Sequence, residues 1–171
     1  TFAAAVILSV VGFLYNRRFK KSGLPGNLMV CFSVGMTFIY GGFSVNIPFH
    51  PMVWFFAVIA ALVDLGEEIA ADAMDAKGDE LINSRSIAIR YGRATAIKTS
   101  TAIFSLVILL TVIPFILAWF HVIYIIPIAI MDGFIGYSAF KLYRSQNQEG
   151  RKYIRLLYLG ATLGLLIFLV M

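Results

Sequence analysis

Six long apolar segments, separated by short polar connections, constrain the fold of this chain more than any other feature. They cover residues 1–15, 24–44, 51–70, 97–117, 119–140 and 154–171. The sequence is 60% hydrophobic and 13% charged, about half the charged share of a soluble domain. Because backbone groups in lipid must be hydrogen-bonded within their own segment, we expect each segment to form a membrane-crossing helix. The sequence predicts an all-α integral membrane bundle with six helices. A helix break is expected at Gly78, and kinks are expected at Pro114 and Pro127, which lie within apolar segments.

The basic residues divide the connections into two groups. All fourteen Lys and Arg lie in or beside the first, third and fifth connections, while the second and fourth connections carry none. If the helices alternate in direction, the three basic connections share one side of the membrane. The positive-inside rule predicts that this side faces the cytoplasm and that the chain is a multi-pass protein of the cell membrane.

The third connection is acidic as well as basic. Residues 64–93 hold seven of the nine acidic residues, and five of them repeat at spacings of 4, 4, 3 and 4: Asp64, Glu68, Asp72, Asp75 and Asp79. Such spacings place side chains on one face of a helix, where like charges repel. A solvated acidic helix end is one interpretation. The other is a site for a hard divalent cation such as Mg²⁺, which prefers carboxylate oxygens and often shares them with substrate phosphates.

Two stretches resemble motifs of one family of membrane enzymes. Residues 68–79, EIAADAMDAKGD, are similar to the second aspartate-rich motif of UbiA-superfamily intramembrane prenyltransferases, R-E-x-x-K-D-x-x-D-x-x-G-D. Residues 14–27, LYNRRFKKSGLPGN, are similar to the L-Y-S-x-x-L-K-K-x-G-x-x-G-N block of the same family. The chain departs from the motif at Glu67, where the family usually has Arg, and at Ala71, where it usually has Lys.

The resemblance implies a single transmembrane prenyltransferase domain over residues 1–171, corresponding to the C-terminal two-thirds of the family's fold. The first aspartate motif, N-D-x-x-D-x-x-x-D, is then expected before Thr1. The implied reaction is Mg²⁺-dependent transfer of a prenyl group from an isoprenyl diphosphate to a membrane-embedded acceptor. The motif is most similar to archaeal members that add a geranylgeranyl group to a glycerol phosphate ether. Prenylation of an aromatic acid of the quinone pathway is the alternative.

The resemblance also implies roles for individual residues. The expected metal ligands are Glu68, Asp72, Asp75 and Asp79. The expected substrate-binding residues are Lys20, Lys21, Asn27, Arg85 and Arg90. Asp72 and Asp75 are expected to be catalytic through the metal, and the ring of Tyr15 is expected to stabilise the allylic cation.

Two functions from other classes remain open on the sequence alone. Asp64 and Asp132 lie within apolar segments, and intramembrane acids often line ion paths. A cation-coupled transporter is therefore the main rival to the enzyme, and a purely structural protein is the third possibility. Nucleic acid is not an expected partner, because no basic groove with interleaved aromatic residues is present. A single cysteine, Cys31, excludes a disulfide framework.

Overall fold

The computed structural model describes residues 1–81, 83–145 and 149–171, and this part of the chain is helical, with no strand. The helices are α1 Phe2–Leu14, α2 Leu24–Ser44, α3 Pro51–Leu81, α4 Ile87–Tyr91, α5 Arg93–Leu110, α6 Ile113–Ile116, α7 Ile125–Arg144 and α8 Gly150–Val170. A π-helical turn, Tyr15–Phe19, continues α1, and a 3₁₀ turn, Val122–Tyr124, leads into α7. The predicted all-α bundle is confirmed.

Within the described residues, five helical stretches are long and apolar enough to cross a membrane: Phe2–Phe19, Leu24–Ser44, Arg93–Ile116, Val122–Arg144 and Gly150–Val170. The chain is therefore an integral, multi-pass membrane protein. The sixth predicted crossing, residues 51–70, is part of α3 but is not among the five. Three carboxylates, those of Asp64, Glu67 and Glu68, reduce its apolar character. Its 31 residues span roughly 46 Å at 1.5 Å per residue, which exceeds the thickness of a hydrocarbon core.

Helix α3 is the centre of the packing. It lies between α2 and α5, while α7 packs on α5 and α8. Phe104 of α5, which is 1% exposed, fits against Gly66 of α3 at a point where a side chain would leave no room for the ring. The Ser100 hydroxyl, one turn earlier on α5, donates a 2.6 Å hydrogen bond to the Gly66 carbonyl. Residue 66 therefore sets how closely the two helices approach.

Contacts join the first, third and fifth connections at one end of the bundle. The Arg85 amide donates a 3.0 Å hydrogen bond to the Lys21 carbonyl. The Arg93 guanidinium donates to the carbonyl and the hydroxyl of Ser145, at 3.2 and 3.3 Å. These contacts agree with the prediction that the three connections lie on one side of the membrane.

Aromatic rings gather towards the opposite end. Phe120 precedes the 3₁₀ turn, and its ring centroid lies 5.2 Å from that of Phe168 near the end of α8 and 5.9 Å from that of Phe56 near the start of α3. Tyr124 stacks at an angle on Phe168, with 4.7 Å between centroids. The charged and aromatic ends of the bundle are thus separate.

Two helix interruptions predicted from the sequence are wrong. Gly78 was expected to interrupt the acidic helix, but α3 continues through it to Leu81, because a mid-helix glycine costs only about 1 kcal/mol. Pro127 was expected to kink a helix, but it lies in the first turn of α7, where the missing amide needs no helical partner. Pro114 behaves as expected, since α5 ends at Leu110 and Pro114 lies in the first turn of α6.

Candidate active site

The two motif-bearing stretches meet at Asn27 and Asp72. Asn27 lies in the first turn of α2, is 7% exposed, and its side-chain amide donates a 2.9 Å hydrogen bond to Asp72 Oδ2. Burial raises the pKa of the Asp72 carboxyl above its ordinary value; the Asn27 hydrogen bond opposes this rise, and the charge of Asp79 adds to it. A half-buried carboxylate with one neutral donor is best stabilised by a cation.

A second link fixes the turn before α2 against the segment after α3. Gly23 has a φ of +72°, and a Cβ at this position would collide with the carbonyl oxygen of Arg85. Only glycine combines this backbone conformation with such a close approach. Together with the Lys21–Arg85 hydrogen bond, this contact holds the entrance of α2 in place, and with it Asn27.

The acidic residues expected to bind metal lie along one side of α3. Asp72 and Asp79 are partly buried, whereas Asp75 is exposed and forms an ion pair with Arg151 of α8. One oxygen of Asp79, Oδ2, is buried and accepts no hydrogen bond from the described residues. Glu68 is partly buried and lies within electrostatic reach of the carboxylates of Asp72 and its other acidic neighbours. The helix thus presents carboxylate oxygens that lack a full set of donors.

The carboxylates of this acidic stripe are too far apart to bind one Mg²⁺ ion without additional ligands. Among the described residues, no three His, Cys, Asp or Glu side chains converge closely enough to hold a metal ion by themselves. The reason is geometric, because seven residues of helix separate Asp72 from Asp79 by roughly 10 Å along the axis. Magnesium is commonly held by one or two carboxylates together with water and substrate phosphates. The donor chemistry therefore fits Mg²⁺ only if water or phosphate oxygens from a bound molecule would complete the coordination shell.

The predicted substrate-binding cations lie in two places. Lys20 and Lys21 are exposed on the turn after the π-helical segment. Arg85 and Arg90 line a groove of about 370 Å³ whose polar lining also includes Ser22 and two threonines, Thr95 and Thr99. None of the described residues that line this groove is acidic, so binding of diphosphate by Arg85 and Arg90 stays a prediction.

Tyr15 lies beside the acidic face of α3. Its side chain is partly buried at the start of the π-helical turn, and the charges of Glu68 and Asp72 act on its hydroxyl. The catalytic role of Tyr15 stays a prediction.

A mainly apolar cavity opens deeper in the bundle, between α2, α3, α7 and α8. It encloses about 240 Å³, and its lining is dominated by aromatic and aliphatic side chains, with polar atoms at Asp64, Thr111 and Tyr158. The cavity and the acidic stripe share α3, because Asp64 lies two helical turns before Asp72. An apolar chain attached to a group on the stripe could extend into this space.

Three polar contacts of the described region were not predicted from the sequence. Besides the Arg151–Asp75 ion pair, the Tyr158 hydroxyl donates a 3.1 Å hydrogen bond to Glu67, and the Thr111 hydroxyl donates a 2.7 Å hydrogen bond to Asp132. In the sequence, Arg151 is one of the fourteen basic residues that indicate topology, and Tyr158 lies in an apolar segment. Neither pattern indicates a partner on another helix.

Comparison with known proteins places these features in a family. The model of the UbiA prenyltransferase family matches residues 1–168. The digeranylgeranylglyceryl phosphate synthase of Methanopyrus kandleri is 31% identical over 170 residues, which are 98% of this chain and 60% of the relative. The synthase of Hyperthermus butylicus is 31% identical over 143 residues, which are 80% of this chain and 47% of that relative.

A solved structure is also similar to this chain. It is described as "Structural and mechanistic insights into the biosynthesis of Digeranylgeranylglyceryl phosphate synthase in membranes", and it matches 98% of this chain at 29% identity with a TM-score of 0.86. The match covers 60% of that structure's chain. The present chain thus spans about half to three-fifths of the length of these relatives.

Proposed function

Because this chain belongs to the UbiA prenyltransferase family, we propose that the whole protein transfers a prenyl group, specifically geranylgeranyl, from an isoprenyl diphosphate to a membrane-embedded acceptor. The proposed acceptor is geranylgeranylglyceryl phosphate. Relatives named digeranylgeranylglyceryl phosphate synthase support this choice of acceptor.

The hydrogen bond between Asn27 and Asp72 is the observation that carries the proposal. It brings the segment of residues 14–27, which resembles a family motif, onto the acidic stripe of α3, so that both motif-bearing stretches contribute to one place. An acidic helix end that merely faces solvent would need no buried amide donor directed at one carboxylate. The contact therefore favours a built site over a solvated surface.

Each residue group has a distinct proposed task in prenyl transfer. Asp72, Asp75 and Asp79, with Glu68 next to them, would hold Mg²⁺ against the diphosphate. The bound Mg²⁺ would neutralise the charge that develops on the leaving diphosphate as the allylic C–O bond breaks. Asn27 would orient Asp72, and Lys20 and Lys21 would supply further positive charge from the exposed turn. Tyr15 would face the allylic cation with its ring.

The apolar cavity would hold the isoprenoid chain and keep water from the carbocation. Its aromatic walls include Phe38, Phe55 and Phe56. Its position deeper in the bundle than the stripe matches a substrate with a charged head and an apolar tail. We further propose that the head group enters from the cytoplasmic side of the cell membrane, because the basic connections lie at that end.

The proposal is tested by assaying the purified intact protein with geranylgeranyl diphosphate, Mg²⁺ and one acceptor at a time. Geranylgeranylglyceryl phosphate is expected to yield the digeranylgeranylated lipid, and an aromatic acid such as 4-hydroxybenzoate is expected to yield no product. Product with the aromatic acid alone would replace the proposed acceptor by that of the quinone pathway. No product and no binding of either prenyl substrate would overturn the enzyme proposal.

The transporter alternative is tested in the same preparation. Asp132 accepts a hydrogen bond from Thr111 on the neighbouring part of the bundle, which gives this intramembrane acid a structural partner. A transporter predicts cation flux into proteoliposomes that falls when Asp132 is replaced by Asn. The enzyme proposal predicts no such flux.

A further inference from the structure

Beside the acidic stripe of α3, positions 67 and 71 are Glu67 and Ala71, so neither supplies a positive charge. A diphosphate bound at the acidic stripe would therefore meet no positive charge from these two positions of α3. In the folded chain another helix brings a cation to the same place. Arg151, in the first turn of α8, extends its guanidinium to the carboxylate of Asp75.

The backbone beneath Arg151 is held in a fixed position. Gly150 is buried, and a Cβ at this position would press on the sulfur of Met74 and on the side chain of Leu142. Met74 is 5% exposed and directly precedes Asp75. Arg151 directly follows Gly150, and Asp75 directly follows Met74. The proximity of Arg151 to Asp75 is therefore a consequence of the packing of α8 on α3.

The Arg151 side chain keeps capacity for another partner. It is 48% exposed, and a guanidinium has five N–H donors, of which one carboxylate uses at most two in a bidentate pair. Arg151 also lies at the N-terminal end of α8, where the helix dipole disfavours a cation and favours an anion. An anion placed between this helix end and the acidic stripe would interact favourably with both the guanidinium and the dipole.

We propose that Arg151 is a diphosphate-binding residue. In the free protein its guanidinium pairs with Asp75, and it binds the diphosphate instead when a divalent metal binds the Asp75 carboxylate. Arg151, on α8, thus supplies a positive charge that Ala71, on α3, does not. The proposal rests on the proposed function and adds a residue outside the family motif to its site.

The first test is calorimetry of the intact protein with a non-hydrolysable geranylgeranyl thiodiphosphate in the presence of Mg²⁺. Arg151→Gln is expected to raise the dissociation constant by roughly tenfold to a hundredfold, because a charge-assisted contact is lost. Lys152→Gln is the matched control. It removes the same charge from the same helix end, but the Lys152 ammonium lies over the Tyr153 ring, 5.1 Å from its centroid. Its expected change is below about twofold.

The second test measures binding of Mn²⁺ alone by electron paramagnetic resonance. Arg151→Gln is expected to bind Mn²⁺ as tightly as the wild type or more tightly, because the competing guanidinium leaves Asp75. A merely structural role predicts that affinity for metal and thiodiphosphate falls together, along with the unfolding temperature. That result would overturn the proposal.

A cation restored on α3 provides a rescue. Ala71→Lys placed in the Arg151→Gln protein is expected to recover most of the lost thiodiphosphate affinity. If Arg151→Gln does not fold, Arg151→Lys serves in its place, with a smaller loss because it keeps the charge without the planar fork. Wild-type affinity in a folded Arg151 variant would overturn the inference alone. Absence of thiodiphosphate binding by the wild type would instead overturn the proposed function.

Discussion

The side-chain amide of Asn27 donates a 2.9 Å hydrogen bond to Asp72, although 45 residues separate the two in the sequence. The next acid on the same side of α3, Asp75, is contacted by the cationic Arg151 instead. A neutral amide orients Asp72 without cancelling its charge, so this carboxylate keeps its attraction for a metal. Asp75 has a partner that a metal would have to displace.

Loss of the Asn27 amide is expected to impair turnover more than stability. Asn27→Ala should lower kcat about tenfold or more and raise the Mg²⁺ concentration for half-maximal rate, because Asp72 loses its orienting donor. Steady-state assays of the intact protein at varied Mg²⁺ measure both quantities. Asn16→Ala is the control, since the Asn16 amide donates, among the described residues, only to the Gly12 carbonyl one turn earlier, at 3.0 Å. Equal kinetics in the two variants would contradict an orienting role for Asn27.

Neutralising either central acid is expected to abolish activity. Asp72→Asn and Asp75→Asn each remove a ligand charge from the same side of α3, and product formation should fall below detection. Excess EDTA should have the same effect on the wild type, reversed by added Mg²⁺. Glu80→Gln, which changes an exposed acid near the end of the same helix, should keep wild-type activity. Full activity in EDTA would exclude the metal.

The two ends of α3 are expected to lie on opposite sides of the membrane. Positions 50 and 80 are both exposed, and about 30 residues of helix, roughly 45 Å, separate them. His50→Cys and Glu80→Cys, each made in a Cys31→Ala background, can be treated with a membrane-impermeant maleimide in sealed vesicles of known orientation. Only position 50 should react from outside the cell and only position 80 from the cytoplasm. Labelling of both from one side would contradict a membrane-crossing α3.

The sequence was sufficient for the features that depend on local pattern. Hydropathy predicted the all-α membrane bundle. The confinement of Lys and Arg to alternate connections predicted that the first, third and fifth connections share one end. The motif spacing also predicted that Asp72, Asp75 and Asp79 lie on one helix. These features depend on helical periodicity and on the hydropathy of single segments, both of which can be read directly from neighbouring residues in the sequence.

The sequence was not sufficient for contacts between distant helices. The pairing of Arg151 with Asp75 depends on the close approach of Gly150 to Met74, and a glycine ahead of two basic residues gives no sign of that approach. Gly78 shows the opposite error. It was interpreted as a helix break on its residue type alone, although nothing around it forces α3 to end there.

The contrast between two glycines of α3 gives a stability prediction. A Cβ at Gly66 would lie 2.7 Å from Cε1 of the Phe104 ring, which is buried and cannot move aside without disturbing the contact between α3 and α5. Gly66→Ala is therefore expected to destabilise the protein by about 1–3 kcal/mol, as overpacking of a core does. A Cβ at Gly78 meets none of the described residues within 4 Å.

Gly78→Ala should accordingly stabilise the helix by about 0.5–1 kcal/mol, because alanine loses less backbone entropy than glycine in a helix. Thermal unfolding of both variants in the same detergent tests the pair, with a lower midpoint for Gly66→Ala and an equal or higher one for Gly78→Ala. If Phe104 makes the difference, Phe104→Leu should reduce the penalty of Gly66→Ala, since a smaller side chain leaves space for the added methyl group. An undiminished penalty in the double variant would mean that residue 66 is limited by contacts other than the ring.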